Sequence, residues 1–181
     1  MIGYSPIEAG AAFLPWTVLI ILLAPPAGRL SDRIGPRPFV VGGMLIVTGS
    51  LLVFANLGEN ETFWDLLPGM LLGGVGMVAA MAPVTAAGMH SVRPDKAGVG
   101  SAVLNSMRQV GGSLGIAIMG AIVAASATPG TTDPSGFLNG FHHALETGAA
   151  LTVVGAVIAA FTLPGRPQRE PERAQAVAEM G

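Results

Sequence analysis

Cysteine is absent from the 181 residues. That excludes disulfides, a thiolate nucleophile and any cysteine-based metal centre. Charge is nearly as scarce, at 11% Asp, Glu, Lys and Arg, where soluble domains carry about 25%. Lysine occurs once, at Lys96, and the other eight basic residues are arginine, a bias typical of GC-rich bacterial coding sequences. Residues 1–5, 56–64 and 128–138 contain no Lys or Arg at all. The amino terminus therefore lacks the basic region of a signal peptide, and its first apolar run ends in Pro25-Pro26 without a small-residue cleavage site, so no leader is expected. No paired carboxylates or histidine-rich cluster share one depth in the apolar runs, so an intramembrane enzyme is not expected.

What remains is long and apolar. The chain is 51% hydrophobic with 26 glycines and a mean hydropathy of +0.61. Five stretches without a charged residue, 9–28, 38–58, 66–92, 109–132 and 147–165, are 20, 21, 27, 24 and 19 residues long. About 20 apolar residues suffice to cross a hydrocarbon core as a helix. The pattern predicts an all-α, polytopic membrane protein with five transmembrane helices at about 6–27, 37–57, 65–91, 95–127 and 139–163. Pro15 should kink the first and Pro83 the third. A polar tail over 164–181, with Pro164, Pro167 and Pro171, is expected to have no fold of its own.

The distribution of basic residues gives an orientation. With five spans the termini lie on opposite sides. If the Arg29, Arg33 and Arg37 segment is cytoplasmic, so are Arg93 and Lys96, and so are Arg166, Arg169 and Arg173. The three segments without Lys or Arg all fall outside. Arg108 precedes 24 uncharged residues, so it belongs near the inner boundary, where its side chain can snorkel. The expected location is a bacterial plasma membrane, with the N-terminus outside and the C-terminal tail in the cytoplasm.

The densest group of charges and helix breakers is Gly28-Arg29-Leu30-Ser31-Asp32-Arg33-Ile34-Gly35-Pro36-Arg37-Pro38, expected as a tight turn between two spans. Asp32 could act as a latch that pairs with Arg or with a neighbouring helix terminus and releases when domains rock; alternatively the charges only set topology. Gly69, Gly73 and Gly76 on the third helix, and Gly111, Gly112 and Gly115 on the fourth, offer smooth faces for close packing. Pro83, Arg108 and Gln109 join the fourth-helix glycines as candidates for a helix interface or cavity wall. Glu8 and Glu146 are the protonatable candidates, both near the outer ends of their helices. His142-His143 lacks partners at ligand spacing, so no metal site is expected.

The Gly28 to Arg37 segment resembles the G-x-L-x-D-R-x-G-x-R signature of the major facilitator superfamily. Gly3-Tyr4-Ser5-Pro6 with Leu14-Pro15, and Asn105-Ser106-Met107-Arg108-Gln109-Val110-Gly111-Gly112, resemble patterns of its fourteen-span drug:proton antiporters. The resemblance implies the last five helices of the C-terminal half of such a transporter. It implies export of small hydrophobic or cationic compounds by alternating access, driven by a proton gradient without a cofactor, with Asp32 and Arg108 meeting helices of a missing N-terminal half or partner chain. On that footing the chain is a truncated product, a piece of a split protein or the result of a misplaced start. No enzymatic activity and no nucleic-acid partner are expected. The alternative is a membrane protein that transports nothing and acts by helix association with a partner.

Overall fold

A computed structural model describes residues 14–58, 62–126, 134–163 and 165, with the side chains of residues 15, 16, 32, 134 and 135 outside the description. The fold is all-α. It comprises α1 (Leu14–Ile34), α2 (Pro36–Ala55), α3 (Phe63–His90), a 3-10 turn (Pro94–Lys96), α4 (Ala97–Ser126) and α5 (Pro134–Thr162). Helices α2, α3, α4 with its leading turn, and α5 from Gly136 are each long and apolar enough to cross a membrane. In α1 the described apolar stretch is shorter, Thr17–Ser31, and the upstream part of the expected first span lies outside the described residues.

The connection between α1 and α2 corrects one expectation. Instead of the tight turn beginning at Gly28, the helix runs through Pro25 and Pro26 and continues to Ile34. The two prolines remove the amide donors that would reach the carbonyls four residues earlier, and their rings crowd those carbonyls. The amides of the residues after Pro26 are all available as donors, so the helix resumes beyond the prolines and reaches Ile34. The turn is a single residue. The Gly35 amide still donates to the Ser31 carbonyl at 2.8 Å, and Gly35 then takes φ 104°, a conformation that a residue with a Cβ adopts only under strain. Pro36 starts α2 at the position where a missing amide costs nothing.

The core is a seam between α2 and α3 in which backbones touch. A Cβ on Gly43 would lie 2.7 Å from the Gly76 carbonyl oxygen, and one on Gly76 would lie 2.7 Å from that of Gly43. Along the same seam Gly69 accommodates the Phe54 ring and Gly73 the Ser50 hydroxyl. The contact residues recur at alternating intervals of four and three: Gly43, Val47, Ser50 and Phe54 on one helix, Gly69, Gly73, Gly76 and Ala80 on the other. That period keeps one face of each helix against its partner. Small residues permit close approach and hence dispersion contact, the main source of helix adhesion in lipid. Ser50 donates a buried hydrogen bond to the Gly69 carbonyl at 2.7 Å, and Val40 and Pro83 are the largest fully buried side chains.

Helix α5 covers another side of α2, with Gly148 beside Leu51 and Gly155 beside the Met44 side chain. Helix α4 packs on α5, where Gly140 fits against Val123 and Ser126. Helix α1 lies chiefly on α3 and scarcely touches α2. The order across the bundle is therefore α1, α3, α2, α5, α4. Helices α3 and α4 meet mainly near their connection, where Gly100 abuts Val92 and Gly88 abuts Leu104.

Candidate functional site

The divergence of α3 from α4, with α1 on the other flank, leaves a cavity of about 580 Å³. That size suits a small organic ligand. Helix α3 supplies most of the wall, with Met77, Val78, Met81, Ala82, Thr85, Ala86 and Met89; α1 adds Ile20 and Ala24; α4 adds Arg108. Met77, Met81, Thr85 and Met89 recur every four residues, which places them in one stripe along α3. Thioether side chains are flexible and polarizable, so such a wall adapts to different apolar shapes.

Polarity is concentrated at one point. An Arg108 Nη donates to Thr85 Oγ1 at 2.9 Å, and the Thr85 hydroxyl donates in turn to the Met81 carbonyl at 2.8 Å. Both hydrogen-bonding roles of the hydroxyl are thereby used, and the guanidinium is fixed to the mouth of the stripe. The helix register shows the depth of this pair. Gly43 meets Gly76 and Ala80, so Thr85, further along the antiparallel α3, falls beside the first turn of α2 rather than its middle. Arg108 therefore lies near the Gly35 end of the bundle.

The other candidates separate into groups. Pro83 lies at a helix interface, fully buried on the α2 side of α3, and is not among the residues lining the cavity. Gln109, Gly111 and Gly112 are exposed and Gly115 is half-buried. A Cβ on any of these three glycines would meet nothing within 4 Å. Helix α4 has no buried residue along its 30 positions. Arg29, Arg33 and Arg37 are exposed, Gly28 is half-buried and open, and Gly35 forms the turn. The Asp32 side chain and Glu8 lie outside the described residues. Glu146 is exposed on α5, one turn beyond His142, whose ring nitrogen lies 2.9 Å from the Leu57 carbonyl just past the end of α2. Arg93 and Asp95 form an exposed ion pair at 3.2 Å in the α3–α4 connection.

Sequence reasoning reached Arg108 but missed Thr85, the α1 contribution and the methionine stripe. The four-residue recurrence of Met77, Met81 and Met89 was the available signal.

Comparison with known proteins gives a consistent family. The profile of the Major Facilitator Superfamily matches residues 1–179. The puromycin resistance protein pur8 of Streptomyces alboniger is 31% identical over 189 aligned residues, covering 97% of this chain and 37% of that protein. The tetracenomycin C resistance and export protein of Streptomyces glaucescens is 33% identical over 167 residues, 91% of this chain and 31% of its own length. The multidrug resistance protein Stp of Mycobacterium tuberculosis is 30% identical over 124 residues, 68% of this chain and 23% of its own. The chain thus spans about a third or less of the length of these relatives.

Proposed function

Because this chain belongs to the major facilitator superfamily, we propose that it contributes the C-terminal helices of a proton-driven exporter of small hydrophobic compounds, cationic ones among them, that works by alternating access. The observation that carries this reading is the methionine-lined cavity between α1, α3 and α4, opening beside a helix with no buried residue. In such a transporter two helical units rock about a central ligand site. The bare face of α4, with Gln109, Gly111, Gly112 and Gly115, is then the surface that meets the other unit, whether supplied by the same polypeptide or by a partner chain. Asp32 acts as the latch at the α1–α2 turn, and Glu8 and Glu146 are candidates for handling the proton. No cofactor is needed, because the proton gradient supplies the free energy. The Gly35 end faces the cytoplasm, together with the tail over 164–181, and the N-terminus lies outside.

Export is tested by the accumulation of a fluorescent hydrophobic dye in efflux-deficient cells expressing the complete transporter. Accumulation should fall on expression and recover when a protonophore collapses the gradient. Unchanged accumulation for a panel of hydrophobic compounds would refute the exporter reading. A second reading rests on the same bare helix: a membrane protein that only associates through α4 would give stable complexes and no flux.

A further inference from the structure

We propose that the cavity selects apolar compounds bearing an anionic, acceptor-rich end group, such as an aryl carboxylate, which the Arg108 guanidinium holds while the methionine stripe takes the apolar body. This rests on the exporter reading and narrows its substrate class, replacing cationic compounds with anionic ones for this cavity.

The argument is one of charge placement. Among the described residues that line the cavity, Arg108 is the only charged one and none is acidic. A guanidinium carries five N–H donors in a planar fork matched to a carboxylate. Thr85 takes one of them, so the rest of the fork can bind a ligand. The Thr85 hydroxyl also donates to Met81, which fixes its lone pairs toward the arginine and holds the fork in place. The guanidinium is exposed at the Gly35 end of the bundle, so selection there rests on the match between its planar fork and a carboxylate together with apolar contact along the stripe. A cation entering the same space would meet a like charge, with no carboxylate among the described lining residues to offset it. About 580 Å³ accommodates two fused rings and a carboxylate.

The test uses the full 181-residue chain in zwitterionic micelles with isotope-labelled methionine methyl groups. Met77, Met81 and Met89 report on the cavity. Met44 and Met119, which contact Gly155 and Gly148 elsewhere, report on nonspecific partition and on folding. Naphthoate should shift the three cavity methyls and spare the other two. Naphthylmethylammonium, of similar size and opposite charge, should bind about tenfold more weakly or less. Arg108→Gln should abolish that preference. If Arg108→Gln fails to fold, as judged by the Met44 and Met119 signals, Thr85→Val should weaken the preference by releasing the fork.

Equal binding of both probes, or shifts at all five methyls alike, would overturn the inference. So would a preference that appears only in Asp32→Asn, since Arg108 would then be neutralised within the chain. Phosphatidylglycerol reproducing the three shifts would reassign the cavity to a lipid headgroup and likewise overturn it. None of these outcomes measures flux, so they leave proton-driven export standing. Conversely, absence of dye efflux would leave the methyl shifts unchanged.

Discussion

Arg108 and Thr85, 23 positions apart in the chain, join α4 to α3 through a 2.9 Å hydrogen bond. Both residues line the cavity between the helices. The bond is also the point where the one charge among the described residues of the cavity wall is held in position. Replacing Thr85 with Val keeps the side-chain shape and removes the acceptor. The expected loss is about 1 kcal/mol, since a polar contact between membrane helices contributes about 0.6 kcal/mol on average and a charged donor raises it. Unfolding in mixed micelles would measure it; an unchanged midpoint would show that Arg108 contributes no adhesion.

Glycines on α3 and α4 should respond in opposite ways to the same change. Gly76→Ala places a methyl 2.7 Å from the Gly43 carbonyl oxygen and 2.8 Å from the Val47 amide nitrogen. Two backbones would have to part, at about 1–3 kcal/mol. Gly112→Ala meets nothing within 4 Å and gains helix propensity, so this chain should be unaffected or stabilised by up to about 1 kcal/mol. If Gly112→Ala nonetheless abolishes efflux by the complete transporter, the bare face of α4 is a working interface. Retained efflux would count against that assignment.

Gly35→Ala should destabilise the turn by about 1–3 kcal/mol, because φ 104° admits a Cβ only with strain. The nearby Gly28→Ala has open space and an ordinary helical backbone, so it serves as the control. Equal thermal midpoints for the two variants would show that the turn relaxes freely.

Ser50→Ala removes the buried donor to the Gly69 carbonyl. The cost should be about 0.5–1.5 kcal/mol, and a combined Ser50→Ala/Gly73→Ala variant should not be additive, because the new Cβ of residue 73 would occupy the space 2.9 Å from the Ser50 hydroxyl. Strict additivity would mean that the two positions are uncoupled.

Single cysteines at Thr62 and Lys96, in a chain with no native cysteine, should label from opposite sides with an impermeant reagent. Helix α3, 28 residues long and so about 42 Å from end to end, separates the two sites. Labelling from one side would remove α3 from the list of spans.

Helices α2 to α5 were legible in the sequence because each contains a long uncharged run, and lipid leaves a polar backbone few alternatives to a helix. The end of α1 was not. Pro25, Pro26 and Gly28 read locally as a stop, whereas the helix runs through them to Ile34. The packing role of Gly69, Gly73 and Gly76 followed from their spacing, whereas nothing in the equally regular Gly111, Gly112 and Gly115 says that they meet no neighbour among the described residues. The cavity was hidden for a different reason. Thr85 and the methionines are ordinary apolar-helix residues until the fold sets α1 beside α3 and swings α4 away, and those pairings are long-range.

The order α1, α3, α2, α5, α4 also bears on biogenesis. Helix α2 is held between α3, which follows it at once, and α5, which is made only after α4. Until α5 is made, the flank of α2 carrying Met44 and Leu51 lacks the helix that covers it within the described residues, and α4 is held only by its contacts with α3 near their connection. The early hairpin must therefore wait in the membrane half-assembled, and a chain interrupted before α5 would present that flank to the proteases and chaperones that survey unassembled membrane helices.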